Sequence, residues 1–290
     1  MGKSLADSFP EAARVFQEAD DALGFPLSRL CFEGPDEQLK LTENTQPALL
    51  AVSMAAHAVL VSKGIVPDYV AGHSLGEYSA LVAAGSLPFA EALRLVRKRG
   101  QYMQQAVPAG VGAMAALLKF PPEKLDAVLA EAAQGEIVTA ANLNSPDQIV
   151  IAGHAAAVNR AVELAKAAGA RRAVLLPVSA PFHCPLMKPA QDRLKPDLDA
   201  ADFRDLSVSL INNWQAREVR SGADALDGLF QQIPSPVRWN DSIALLVSRG
   251  VTRFIEVGPG AVLTGLLKNI DPALTGLKFG EASDWDKLTS

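Results

Sequence analysis

Gly72-His73-Ser74-Leu75-Gly76-Glu77-Tyr78 is the stretch on which the reading of this chain turns. It contains the pentapeptide G-x-S-x-G, followed by an acidic residue and an aromatic. Ahead of it, Asp68 to Ala71 reads as a short strand. Behind it, Leu75 to Ala84 reads as a helix rich in small residues. A serine on a sharp strand-to-helix turn has its hydroxyl pushed clear of the backbone, and glycines on both sides are expected to relieve the crowding. The following helix aims its free N–H groups and the positive end of its dipole at the same spot. An oxyanion would form there during acyl transfer. Three fixed positions match often by chance; the strand before and the helix after favour a nucleophile.

The rest of the chain sets the bounds. At 290 residues it is long enough for a large core and one or two domains. The net charge of −5, with no basic block beyond Arg94 to Arg99, argues against nucleic-acid binding. Two cysteines, Cys31 and Cys184, suggest no disulfide framework, and no C-x-x-C or H-E-x-x-H spacing points to a metal. The first residues lack the apolar run of a signal peptide. Pro47 to Val61 is the most apolar stretch, but it is broken by Ser53 and His57. It reads as too short for a membrane span and as a buried core helix. The expectation is a cytoplasmic protein with no membrane segment.

Helical patterns run over 10–23, 45–63, 75–84 and 88–106. The character then changes. From Val111 to Val178 the order strand, helix, strand, strand, helix, strand predicts a ferredoxin-like split βαβ unit, its central turn at Asn144-Ser145-Pro146-Asp147. After it, strands near 207–212 and 254–257 alternate with helices near 187–199 and 237–249. That alternation predicts an α/β fold with a mostly parallel sheet. The chain therefore divides into a large domain, 1–108 with 184–290, and a small inserted one, 109–183. Residues from about Glu281 are expected to fray.

A serine nucleophile needs a base, and the chain has four histidines: His57, His73, His154 and His183. In an ordinary α/β-hydrolase the histidine comes last, after serine and acid. None lies beyond position 183, which argues against a conventional esterase. His57 sits in an apolar helix, His73 is part of the turn, and His154 starts a surface helix. His183 lies where the small domain hands back to the large one, and clefts form at such junctions. It is the favoured base, with a packing or capping role as the alternative.

In the helix 88–106, Arg94, Lys98, Gln101 and Gln105 mark a solvated face, whereas Arg99 falls with Val96 and Met103 on the buried one. A buried guanidinium needs an anionic partner. Its planar fork suits a carboxylate. An internal Asp or Glu and a substrate carboxylate are equally open on this ground.

Taken together, several segments resemble the malonyl-CoA:acyl carrier protein transacylases and the related acyltransferase domains of polyketide synthases. They are Thr45 to Ala48, Gly72 to Tyr78, Arg97 to Met103, Gly112 to Ala115, Ala141 to Pro146, Val178 to His183 and Glu256 to Gly260. They follow the family's order and span nearly the whole chain.

The resemblance implies an α/β-hydrolase-like large domain with an inserted ferredoxin-like small one, Ser74 as nucleophile and His183 as base. It implies a backbone carbonyl near Arg249 that orients the histidine, the Leu75 N–H as an oxyanion donor, and Arg99 gripping the malonyl carboxylate. Phe182, Met103 and Asn142 would shape the pocket. Phenylalanine directly before the histidine goes with malonyl rather than methylmalonyl substrates. The implied partners are malonyl-CoA and acyl carrier protein, in fatty acid or polyketide synthesis. No permanent cofactor, a monomeric state and no metal are expected.

Family members also begin with an apolar strand and a Gly-Gln-Gly-Ser-Gln segment ahead of the part resembling Met1-Gly2-Lys3. Ahead of Met1 that segment is absent from the sequence, and a start placed too late, a truncation and a real loss of one strand and one oxyanion donor are equally open. A serine thioesterase, or an impaired form that only binds carrier protein, are the rival readings.

Overall fold

The structure, a computed structural model, describes residues 1–178 and 180–289. Five helices open the chain: α1 (Lys3–Ser8), α2 (Pro10–Leu23), α3 (Leu27–Glu33), α4 (Asp36–Leu39) and α5 (Thr42–Ser62). Then come β1 (Tyr69–Ala71), α6 (Leu75–Ala83) and α7 (Phe89–Gln105). The second unit follows as β2 (Gly112–Leu118), α8 (Leu125–Ala133), β3 (Val138–Ser145), β4 (Gln148–His154), α9 (Ala155–Ala167) and β5 (Arg172–Leu175). The chain finishes with α10 (Lys188–Asp199), β6 (Ser209–Ile211), β7 (Glu218–Val219), α11 (Gly222–Gln232), α12 (Trp239–Ser248), β8 (Arg253–Val257), α13 (Val262–Ile270), β9 (Thr275–Phe279) and α14 (Trp285–Thr289).

The second unit has the expected topology. Its antiparallel sheet runs β3-β4-β2-β5 and packs α8 and α9 on one face. Period-two alternation along β2 sends Ala115 and Leu117 to that helical side, where Ile149, Ile151, Val158 and Ala161 close a core of their own. Met114 and Ala116 point the other way and meet Cys184, Phe182 and Leu186. This second face positions the segment that carries His183.

The larger part is built around α5. This helix is 21 residues long and apolar enough to cross a membrane by length and composition, contrary to the reading of 47–61 as too short. It is instead a core helix: Leu50, Ala51, Val52 and Val59 are fully buried against α2, α6 and α7. The sheet beside it is divided. One part runs β1-β6-β7, with β1 and β6 parallel; β8 and β9 form a separate parallel pair. Between the open edges of β1 and β8 lies a cavity of about 700 Å³. Parallel pairing is thus present, but in two pieces.

Residues 281–285, expected to fray, are tied down by capping and ring packing. Glu281 and Asp284 cap each other's backbone N–H groups, and the Trp285 ring packs against Phe9 and Phe279. The sequence reading also missed α11 and β9.

Candidate active site

β1 leads straight into the serine turn. Ser74 holds φ 52° and ψ −106°, a left-handed conformation that a non-glycine residue adopts only under constraint. The constraint comes from the next strand. Ala71 pairs with Ile211, so Asn213, two residues on, lies beside the turn. Asn213 Nδ2 donates to the Gly72 carbonyl (2.7 Å), and its Oδ1 accepts from the Ser74 N–H (2.7 Å).

Only one of the two glycines is needed for space. A Cβ on Gly72 would sit 2.0 Å from the Gly76 carbonyl carbon, whereas a Cβ on Gly76 would meet nothing within 4 Å. The bare Cα of Gly72 lets the first turn of α6 close over the strand.

The Ser74 hydroxyl has two side-chain partners. His183 Nε2 lies 2.7 Å away, and Arg99 Nη2 donates to the oxygen at 3.0 Å. Because guanidinium can only donate, the serine proton is directed at His183 Nε2. The imidazole is then the tautomer with its proton on Nδ1, and Nδ1–H donates to the Gln232 carbonyl at 3.1 Å. That carbonyl ends α11, where helical oxygens lack intrahelical partners and carry the negative end of the dipole. His183 itself is 4% exposed with φ 59°. Burial and the positive Arg99 push its pKa down to about 3, so it is neutral and able to accept a proton.

The expected histidine-orienting carbonyl near Arg249 is therefore wrong. Arg249 ends α12 and pairs with Glu218 at 3.6 Å. The helix that supplies the true partner ends with Gln231-Gln232-Ile233-Pro234. Its amphipathic run 222–232 and the proline beyond it were available signals, but a carbonyl has no side-chain signature.

Arg99 is on the buried face of α7, as its spacing predicts, and is 2% exposed. No carboxylate of the described residues forms an ion pair with it. Its Nη1 donates to Gln46 Oε1 (2.7 Å) and Nη2 to Gln232 Oε1 (2.9 Å), while Nε has no partner among the described residues. Neutral amide oxygens align the fork without cancelling its charge. Burial lowers its pKa, and the nearby Glu77 and Tyr78 oppose that.

Glu77 lies in the floor under Ser74. Its Oε2 accepts from the Asn213 N–H (3.0 Å) and Gln232 Nε2 (2.7 Å), and burial pushes its pKa up to about 7. Gln232 Nε2 also donates to the Ser74 carbonyl at 3.0 Å. Gln46, Asn213, Glu77 and Gln232 are thus site residues that sequence reasoning did not assign.

The remaining expected residues are nearby in varying degree. The Leu75 N–H has no acceptor among the described residues, whereas the Ser74 N–H is used by Asn213. Phe182, half-buried next to His183, packs on both the main core and the outer face of the second sheet. Met103 is a core residue one turn beyond Arg99. Asn142 is buried in β3, where it bridges to Val237. Its neighbour Asn144, not Asn142, touches the turn: Asn144 Oδ1 meets His73 Nε2 at 2.8 Å. Ser179, part of the 178–183 segment, lies outside the described residues. Among the described residues no cluster of His, Cys, Asp or Glu could hold a metal ion.

A hydroxyl, a neutral imidazole on a backbone carbonyl and a buried unneutralised guanidinium define a class: α/β proteins built for acyl chemistry on acidic substrates. Comparison with known proteins agrees. The acyl transferase domain family matches residues 1–273. A malonyl CoA-acyl carrier protein transacylase of Bacillus subtilis is 52% identical over 275 residues, 94% of this chain and 87% of that relative. An acyl carrier protein S-malonyltransferase of Vibrio cholerae superposes with TM-score 0.97 at 46% identity, covering 99% of this chain and 94% of the other. A malonyl-transacylase solved with its type II acyl-carrier protein matches at TM-score 0.95 and 44% identity, over 98% and 92%. The chain belongs to the acyl transferase family, in its malonyl CoA-acyl carrier protein transacylase branch.

Proposed function

We propose that the chain moves a malonyl group from coenzyme A, through an ester on Ser74, to the phosphopantetheine thiol of an acyl carrier protein, in fatty acid biosynthesis. Arg99 carries this reading: a buried cation, in an ion pair with no carboxylate of the described residues, bonded to the very hydroxyl that would be acylated. A malonyl carboxylate seated on it would bring the thioester carbonyl within reach of Ser74 Oγ.

In the first half-reaction Oγ attacks the carbonyl carbon as His183 Nε2 takes its proton. The oxyanion is held by the Leu75 N–H and the N-terminal dipole of α6. The C–S bond breaks, and the leaving thiolate takes the proton back from His183. In the second half the carrier thiol gives its proton to His183 and attacks the ester. Oγ leaves and is reprotonated. The Gln232 carbonyl keeps Nδ1–H in place throughout. Phe182 restricts room beside the α-carbon, and Met103 packs behind Arg99.

The reading extends to a cytoplasmic monomer with no permanent cofactor. It takes 109–183 as an inserted domain with its own apolar core, between the halves 1–108 and 184–290. Mixing the chain with malonyl-CoA and digesting it should yield a malonyl ester on the Ser74 peptide, absent in Ser74→Ala. Free malonate released without an acceptor thiol would instead favour a hydrolase.

A further inference from the structure

We infer that Asn213 is the positioning residue of the nucleophile, an assignment that rests on Ser74 being the acylated residue. Its side-chain amide holds the serine turn in the positive-φ conformation that aims Oγ at His183. It also decides which backbone N–H faces the oxyanion. Ser74 stands at φ 52° and ψ −106°, a conformation that a residue with a side chain adopts only at a cost in free energy. The surroundings must offset that cost, and three bonds from Asn213 reach the turn and the helix behind it.

The sheet brings Asn213 to its place. β1 and β6 are parallel and Ala71 pairs with Ile211, so the chain leaves both strands at the same end and the same level. Two residues past that level, Asn213 meets the two peptide groups that flank His73. Nδ2 donates to the Gly72 carbonyl at 2.7 Å, and Oδ1 accepts from the Ser74 N–H at 2.7 Å. Gln232 Nε2 lies 3.4 Å from the same Oδ1. The Asn213 N–H donates to Glu77 Oε2 at 3.0 Å, and the Asn213 carbonyl accepts from the Arg238 N–H at 3.0 Å. The clamp is thus anchored to α6 on one side and to the start of α12 on the other. Asn213 is fully buried, so bulk water does not compete for these bonds.

A side-chain amide suits both ends of this contact. It presents one donor and one acceptor in a common plane, whereas a carboxylate offers acceptors alone and a hydroxyl a single centre. The far side of Ser74 is fixed by α6, where the Glu77 N–H donates to the Ser74 carbonyl at 3.1 Å. Peptide planes pinned before and after Ser74 hold its φ and ψ together. With the Ser74 N–H taken by Oδ1, the Leu75 N–H, which has no acceptor among the described residues, is the one left to meet an oxyanion.

Two substitutions separate the clamp from packing. Asn213→Ala removes both side-chain bonds. Asn213→Asp keeps the shape and the acceptor but sets an anionic oxygen against the Gly72 carbonyl. Once protonated, its carboxyl O–H donates to that carbonyl and both bonds return. Burial raises the pKa of such a carboxyl, which brings the change into a workable pH range. The titratable and charged groups on the elements packed around it are His73, Glu77, Tyr78, Arg99, His183 and Arg238. The parent carries all of them, so each rate is read as variant over parent at the same pH. The quantities measured are the rate of malonyl ester formation on Ser74 at saturating malonyl-CoA and the concentration that gives half of it, from about pH 7.5 to about pH 5.5.

Asn213→Ala should lose ~10–100-fold in rate at every pH, with half-saturation within ~3-fold of the parent, as expected of a misplaced nucleophile. Asn213→Asp should match that loss at the upper pH and regain at least ~10-fold at the lower one. An Asn213→Asp deficit that does not change with pH, undiminished rates, or a loss confined to half-saturation would each overturn the assignment. Crystal structures of the parent and of Asn213→Ala need no turnover. Ser74 relaxing to negative φ in the variant supports the clamp, and an unchanged φ overturns it. Should Asn213→Ala not fold, Asn213→Asp crystallised at the two pH values gives the same comparison. A parent that forms no ester would sink the acyl-transfer reading by itself, and the clamp would then stand or fall on those structures.

Discussion

Arg99 Nη2 lies 3.0 Å from Ser74 Oγ, so in this fold the candidate nucleophile and the buried cation are hydrogen-bonded to each other. The bond sets the direction of the serine proton, because the guanidinium occupies the acceptor side of the oxygen. It also fixes how far from the reacting atom a carboxylate can sit. Arg99→Ala should lower kcat/KM for malonyl-CoA by ~100-fold or more, the value of one or two charge-assisted bonds. Transfer from acetyl-CoA, which has no carboxylate to lose, should change little. Paired steady-state assays with the two thioesters check this. Undiminished malonyl transfer with acetyl still rejected would remove Arg99 from its role.

Two buried groups at the site titrate abnormally and in opposite directions. His183 stays neutral in the folded chain down to about pH 3, whereas its ordinary value is 6.5. Between those values the unfolded chain binds the extra proton, so this contribution to stability is lost as pH falls. Glu77 is pushed from 4.5 up to about 7. Between those values the folded chain holds the extra proton, so its contribution is lost as pH rises. From pH 4.5 to 6.5 the two oppose each other. Glu77→Gln keeps an oxygen for Asn213 and Gln232 but removes one titration. Its melting temperature should fall more steeply than the parent's between pH 6.5 and 4.5. Parallel curves would mean that Glu77 ionises as an ordinary carboxylate.

Ser74, His183 and Arg99 were legible because each breaks a local pattern. Ser74 interrupts a strand-helix junction with glycines, Arg99 sits on an apolar helix face, and His183 is what remains when three other histidines are placed. The split βαβ unit was legible from period and turn residues alone. What stayed hidden is what acts through the backbone or through neutral amides. The Gln232 carbonyl has no residue type to betray it, and Gln46, Asn213 and Asn144 are polar residues whose partners lie 53 to 139 positions away. Arg249 illustrates the limit: a position argued by correspondence ended at the wrong helix terminus.

Phe182 offers a test of substrate shape. Its ring fills space between the main core and the second sheet, immediately beside His183. Phe182→Ser should admit methylmalonyl-CoA, narrowing the preference for malonyl by roughly 10–100-fold, since one methyl in an apolar pocket is worth about 1–3 kcal/mol. Competition between the two thioesters for Ser74, read by mass spectrometry of the acylated peptide, measures the ratio directly. An unchanged ratio would place the selectivity elsewhere.

Gln232 separates side chain from backbone at one position. Its carbonyl holds His183, while its side chain joins Arg99, the Ser74 carbonyl and Glu77. Gln232→Ala keeps the carbonyl and removes the bridge. It takes a partner from three groups, Arg99 Nη2, the Ser74 carbonyl and Glu77 Oε2, so a loss of about 2–4 kcal/mol is expected, seen as a lower denaturation midpoint. Gln232→Glu is closer in shape but should impair substrate binding more. It would give Arg99 the internal carboxylate that the native site withholds, and that carboxylate competes with the substrate's own. KM for malonyl-CoA should therefore rise further in Gln232→Glu than in Gln232→Ala. The reverse order would mean that the neutral partners of Arg99 serve packing rather than keeping its charge free for substrate.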